Sequence, residues 1–363
     1  MEHKYNYQWK LSQLPVPTRG KVFSCFACGG GSSMGYKLAG FDVVGCNEID
    51  PRMAAVYKKN LNPKYIYVED IREFVAREDY PPELYQLDIL DGSPPCSSFS
   101  MAGKREKLWG VEHKFREGQK KQILDTLFFD FIKLAKKLKP KVIVAENVPA
   151  LAKGNALSYY QAIIKDMTDA GYYVTVHVLD ASRMGVPQKR KRLFFVALRQ
   201  DLTKYVRKEE NLFGTYPYLY LDFCENEIPL KDFADYKGEE INKNWQSYKY
   251  WEIKKEGDKK IADVKKGLGE EGTSFNQLFV SPDNPLPTIT ASSFKKIMHW
   301  NKPLYLSKRE IILGSSFPLD YDFGKNKPEY ICGMSVPPVM MANIANAIWE
   351  QWFCRMNKNK KNE

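Results

Sequence analysis

Between residues 21 and 199, short apolar runs alternate with stretches of helical periodicity, and this limits the chain to a few folds. "KVFSCFA" reads as a strand, glycines follow, and "MGYKLAG" reads as a helix. "FDVVGCNEI" is the next strand and "DPRMAAVYKKN" the next helix. "LYQLDILDGS" is strand-like, and "DTLFFDFIKLAKKLKP" carries apolar residues at helical spacing, ending in lysines before Pro140. "KVIVAENV" is a strand, "LSYYQAIIKDMTDAG" a helix stopped by Gly171, and "YYVTVHVLD" and "RLFFVALR" are strands. Such alternation predicts an α/β fold with a mostly parallel sheet covered on both faces.

The pattern breaks after about Arg199. From there to about Asp283 the chain is charged, aromatic and irregular, with Trp245, Tyr248, Lys249 and Trp251 close together. This reads as a separate small domain or a large insertion, in which the aromatics serve packing first and base contact second. A final segment holds "LPTITAS", a helix beginning near Ser307, and the apolar "CGMSVPPVMMANIANAIWEQWF". The tail "RMNKNKKNE" is expected to fray. The expected division is 1–200, 201–285 and 286–363, the last returning to the first.

Apolar residues make up 44% of 363, which supports a packed core and argues against disorder. No run of about 18 apolar residues suggests a membrane span. "MEHKYNYQWK" does not resemble a secretory signal. A cytoplasmic protein is expected, nucleoid-associated in a bacterium, and monomeric. Seven cysteines, an odd count, fit reduced thiols. Cys25 and Cys28 form a CxxC, but no second ligand pair accompanies them, so no metal is expected. The formal charge of +11 makes nucleic acid the first partner to consider, although lysine-rich surfaces also occur without one.

Several stretches carry chemistry. In "FACGGGSSMGYKLAGF", Gly29, Gly30 and Gly31 allow a tight turn that leads into a helix N-terminus. "NEID" ends the second strand, where Glu48 can accept hydrogen bonds from ribose hydroxyls or simply sit as a solvated acid before a helix. Asp70 in "VEDIRE" is an acceptor for an adenine amine or a helix N-cap. Together they suggest a nucleoside-bearing cofactor at the carboxyl ends of the strands. In "DGSPPCSSFS", Pro94 and Pro95 stiffen the approach to Cys96, a potential nucleophile where most turn cysteines are inert. Glu146 lies just past a buried strand, where desolvation can hold a carboxyl protonated and ready to donate. Arg190 and Arg192, two apart in "VPQKRKRLFFVALR", point to one side of an extended segment and suit a phosphate or a polar base edge.

These stretches, in this order and with "LPTITAS", "YLSKREIILGSSFP" and "CGMSVPP", resemble the DNA cytosine-5 methyltransferase family. The resemblance covers nearly everything except about 200–285, where the family has its target-recognition domain. It implies a Rossmann-like, S-adenosylmethionine-dependent methyltransferase sheet with that smaller domain, releasing S-adenosylhomocysteine. Cofactor contacts are implied at Phe26, Ala27, Cys28, Gly29, Gly31, Glu48, Ile49, Asp70, Ile71, Pro95 and Ser335. Cys96 is implied as the nucleophile on cytosine C6, Glu146 as its partner at N3, and Arg190 and Arg192 as the groups that orient the cysteine region and hold the base. Double-stranded DNA is the implied partner, with contacts at Ser97, Ser100, Lys104, Arg105 and Gln188. The base must leave the stack to be reached. "MAGKREKLWGVEHKFREGQKKQ" is implied as a loop that closes over DNA. A cognate restriction endonuclease acting separately is a possible companion.

The chain departs from the family pattern at Ser24, where Asp is usual, at Cys28 for glycine, at Ser97 for glutamine, and at Met334 for asparagine. The last puts one cofactor contact in doubt. A relative acting on tRNA is the nearest alternative, but its usual Cys-Phe-Thr tripeptide is missing, since Cys224 precedes Glu225. A DNA-binding module without catalysis leaves Cys96, Glu146, Arg190 and Arg192 unexplained. A dehydrogenase accounts for the glycine-rich turn alone.

Overall fold

The computed structural model describes residues 3–95, 126–211, 214–271 and 277–359. Cys96, Ser97, Ser100, Lys104, Arg105 and the basic loop after them lie outside the described residues.

Seven strands form the main sheet: β1 (Lys21–Cys25), β2 (Asp42–Asn47), β3 (Tyr65–Tyr67), β4 (Ile89–Gly92), β5 (Val142–Asn147), β6 (Tyr172–Asp180) and β7 (Lys191–Arg199). Their spatial order is β3-β2-β1-β4-β5-β7-β6. β1 pairs in parallel with both β2 and β4, and β4 in parallel with β5. β7 runs antiparallel to β5, the exception to the parallel expectation. Helices α1 (Gly31–Leu38), α2 (Pro51–Leu61), α4 (Leu127–Leu138) and α5 (Leu157–Asp169) alternate with the strands as the periodicity predicts, and a short α3 (Ile71–Ala76) follows β3.

Strand order reverses at β1, which has the earlier strands on one side and β4 on the other. In open α/β sheets, loops from such neighbours part in opposite directions and leave a crevice beyond the carboxyl ends. The fold therefore directs ligands to the ends of β1 and β4.

The core beneath that point is aromatic and aliphatic. Phe23, Leu90, Ile143, Ala145 and Phe195 of the sheet pack with Phe128, Phe131, Ile132 and Leu138 of α4. The Phe128 and Phe195 rings meet edge-on at 5.4 Å. Phe131 lies so close to the end of β4 that a Cβ on Gly92 would come within 2.5 Å of its ring, so glycine is required there. Farther along the chain, Arg19 Nη1 donates to Asn346 Oδ1 at 3.0 Å, and the Phe41 and Trp349 rings meet edge-on at 5.8 Å. The C-terminal helix thereby closes over the start of the sheet.

The chain divides into two compact units. The larger comprises Leu14–Leu179, Lys191–Asp222 and Met341–Glu363; the smaller comprises Met1–Gln13, Asp180–Arg190 and Phe223–Met340. The segment 201–285 singled out by composition is thus shared by both, and the smaller unit continues well past it. Its core joins Ile241, Tyr250, Ile261, Val264, Phe279, Met298 and Tyr305, with Tyr248, Trp251 and Trp300 packed against them. Trp251 Nε1 donates to the His299 carbonyl at 2.7 Å, a packing role, whereas Trp245 is exposed. His299 and Glu310 form a fully buried pair at 3.0 Å.

The stretch Pro328–Asn359 is long and apolar enough to cross a bilayer, but most of its apolar window is buried within the protein, as in a core helix.

Candidate functional site

The turn after β1 is built from left-handed residues. Phe26 has φ 54°, Cys28 φ 47° and Gly30 φ 85°. Gly30 N donates to Ala27 O at 2.8 Å, which tightens the turn, and α1 begins at once with Gly31. The N-cap Gly30 supplies no side-chain acceptor, so the helix start keeps backbone donors for a ligand. A Cβ on Gly30 would strike Leu61 Cδ1 at 2.5 Å, so the cradle tolerates no side chain there.

Glu48, just past β2, braces this turn. Its Oε2 accepts from Cys28 N at 2.7 Å and its Oε1 from Asp50 N at 2.8 Å. It is buried, and these two bonds hold its carboxylate at the end of β2. Asp70 caps α3, accepting from Arg72 N at 2.8 Å; of the two readings the sequence leaves open, the cap is visible. Ile71 is part of the core, while Ile49 and Pro95 are half-buried. A tight turn, an open helix start and a buried carboxylate at a strand end together fit a nucleoside cofactor.

The ends of β4 and β5 come next. Asn147 Nδ2 donates to the Pro94 carbonyl at 3.2 Å, tying the proline turn to β5. Glu146 Oε1 lies 2.8 Å from Arg192 Nε. The pairing follows from register: Glu146 faces Phe194 across the antiparallel ladder, and Arg192 is two residues from Phe194. Such diagonal neighbours share a face and are within reach of long side chains. Burial pulls the Arg192 guanidinium below its ordinary value and the Glu146 carboxylate pulls it back.

Asp91 on β4, not singled out from sequence, is almost wholly buried. Ser24 Oγ donates to its Oδ2 at 2.7 Å and Tyr36 Oη to its Oδ1 at 3.2 Å. Ser24, one of the four departures, is thus engaged rather than idle. The signal was a charged residue inside an apolar strand, "DILDG", where charges are rare unless held.

Arg190, Gln188 and Ser335 belong to the smaller unit. Arg190 Nη1 donates to Ile289 O at 2.8 Å, and its Nη2 to Gly333 O and Ser335 O, each at 2.9 Å. Arg190 is thus held by backbone carbonyls of its own unit, and Arg192 is paired with Glu146. Gln188 is buried, donating to Gly314 O at 3.0 Å and accepting from Ile289 N at 3.1 Å. These bonds fold the unit's own backbone. Ser335 Oγ is buried with no hydrogen-bond partner among the described residues. No cluster of metal-ligating side chains occurs among the described residues.

Comparison with known proteins identifies the family. Residues 20–350 match the family described as C-5 cytosine-specific DNA methylase. The chain is 35% identical over 182 residues to the Type II methyltransferase M.NgoPII of Neisseria gonorrhoeae, covering 50% of this chain and 49% of that protein. It thus spans about half the length of that relative. It is 27% identical over 349 residues to the Type II methyltransferase M1.HphI of Haemophilus parahaemolyticus, covering 92% of this chain and 87% of that protein. The S. pombe Dnmt2 methyltransferase shares the fold with a TM-score of 0.57 at 15% identity, over 92% of this chain and 99% of that one. The chain belongs to the C-5 cytosine-specific DNA methylase family.

Proposed function

We propose that this member of the C-5 cytosine-specific DNA methylase family methylates C5 of cytosine at a specific site in double-stranded DNA, with Cys96 as nucleophile. The observation that carries the reading is the Glu146–Arg192 pair at the end of β5, beside the Asn147-anchored proline turn that leads to Cys96. The names of the Type II relatives support action alongside a restriction endonuclease.

Cytosine C5 is a weak nucleophile until the ring is activated. The Cys96 thiolate adds to C6, and the electron pair displaced from the C5–C6 bond is accommodated toward N3, which Glu146 holds by a proton or hydrogen bond. Arg192 fixes the Glu146 carboxyl in that orientation. S-adenosylmethionine, which the turn 26–31 would hold with Glu48 at its ribose, would supply the electrophilic methyl group that C5 takes up as the carbon–sulfur bond breaks to leave the thioether. A base takes the C5 proton, the C5–C6 double bond re-forms, and Cys96 leaves. A stacked cytosine exposes neither C6 nor N3 to these groups, so the base is extruded.

The test is trapping on duplex DNA containing 5-fluorocytosine with cofactor present. The fluorine at C5 cannot leave as a proton does, so a covalent adduct accumulates, and Cys96→Ala abolishes it. No adduct, or labelled methyl found in tRNA alone, defeats the reading. Glu146→Gln is expected to lower kcat by roughly 10²–10⁴-fold, the range typical of positioned acid–base groups.

A further inference from the structure

The mechanism above leaves Ser24 and Asp91 without a role, yet they meet where the sheet divides. Ser24 on β1 and Asp91 on β4 are direct register partners, and the β1–β4 ladder ends one pair later, at Cys25 and Gly92. Beyond that pair β1 runs into the turn at Phe26 and β4 into the stretch that holds Pro94 and Pro95. No backbone ladder joins the two turns, so side chains at its last pairs must hold them in place.

Ser24 Oγ and Tyr36 Oη donate to different oxygens of the Asp91 side chain, at 2.7 and 3.2 Å. Two donors on two oxygens describe a carboxylate, and all three side chains are buried. Tyr36 belongs to α1, which begins at Gly31 directly after the turn. One carboxylate thus joins three segments: the end of β1, the helix that follows the turn, and the end of β4. Hydrogen bonds to a charged acceptor are shorter and stronger than neutral ones, which suits such a junction.

This is also where the chain departs from the family pattern, with Ser24 where Asp is usual. The carboxylate is present all the same, one strand over. Neighbouring strands lie about 4.8 Å apart, and register partners in a parallel pair project from the same face. A serine and an aspartate bridge that gap whichever strand carries which.

We propose that Asp91 is a positioning residue: it supplies from β4 the carboxylate that the family pattern places on β1, and through Ser24 and Tyr36 it sets the turn 26–31 against the proline turn that leads to Cys96. The inference rests on the cofactor reading above. A hydrogen bond that only fills the core acts on stability alone. A junction between the two turns acts on what each turn holds, so it reaches both cofactor affinity and the delivery of the cysteine.

The test is a reciprocal exchange in the whole protein, read by calorimetric binding of S-adenosylmethionine and by the rate of adduct formation on duplex DNA containing 5-fluorocytosine at saturating cofactor. Asp91→Ser is expected to weaken cofactor binding and slow adduct formation about tenfold each, or about 1.4 kcal/mol. Adding Ser24→Asp to Asp91→Ser is expected to bring both back to within about threefold of wild type, which recovers about half of that loss. Asp91→Asn keeps the size and one acceptor, stays informative if the serine variant does not fold, and is expected to weaken both readouts to a smaller extent. An exchanged protein no better than Asp91→Ser overturns the inference. So does an Asp91→Asn variant that melts earlier but binds the cofactor and forms the adduct as wild type does, since the bonds then serve the core alone. If wild type does not bind S-adenosylmethionine, the cofactor reading falls and this inference falls with it. If wild type and the Asp91 variants bind and react equally, the inference alone falls.

Discussion

A side chain at φ 47° is strained, and Cys28 occupies that conformation in the cofactor turn. Left-handed backbone costs a non-glycine residue about 1–2 kcal/mol. Cys28→Gly relieves that cost, partly offset by about 0.5–1 kcal/mol of extra freedom in the unfolded chain. Urea unfolding should therefore find Cys28→Gly neutral or slightly stabilised and Cys28→Val clearly destabilised; a large loss in the glycine variant would mean that the thiol makes contacts of its own. Asp91 gives a second prediction. Its carboxyl holds a proton more tightly folded, at about 7, than at its ordinary value of 3.8. The folded state then binds more protons than the unfolded state between those values, so this contribution is full below the ordinary value and fades as pH rises to about 7. Asp91→Asn should flatten that decline in thermal melts across the window, and an unchanged slope would refute the assignment. Glu146 and Arg192 stand out in the sequence through the short stretches that contain them, "VIVAENVPAL" and "VPQKRKRLFFVALR", but their pairing across 46 residues does not. Asp91 was not legible, since its state depends on Ser24 and Tyr36, which are 67 and 55 residues away.

At the scale of elements, the strand ends hold the site. Asn147 at the end of β5 anchors the Pro94 carbonyl. Asn147→Ala should cost about 1 kcal/mol of stability, the usual net value of one hydrogen bond, and lower kcat while leaving KM for DNA nearly unchanged. Steady-state kinetics with duplex DNA checks this, and a change in KM alone would place Asn147 in binding instead. Strands and helices were legible because apolar runs and periodicity are properties of short windows. The antiparallel β7 was not, since strand direction is settled by the connection rather than by the run. What holds Arg190 was hidden for the same reason: the carbonyls it donates to come from residues 99 to 145 positions later.

For the whole molecule, the charge of +11 makes the DNA binding proposed above a salt-dependent quantity. The logarithm of the binding constant should fall linearly with the logarithm of salt concentration, by about 0.9 for each phosphate neutralised on B-DNA. A flat response would remove the phosphate contacts from the account. Division into units gives another expectation. The core of the smaller unit needs Met298 and Tyr305, and Glu310 accepts from Asp235 N and Tyr236 N. A fragment covering 201–285 lacks all three and should show no cooperative thermal transition. Composition located the break in pattern but not the spatial unit, because contiguity in the chain is not contiguity in space. The chain passes from one unit to the other five times, and Trp349 and Asn346 close over Phe41 and Arg19. During synthesis that face of the sheet must therefore wait, uncovered, until Asn346 and Trp349 have left the ribosome. A stop before residue 346 removes that cover.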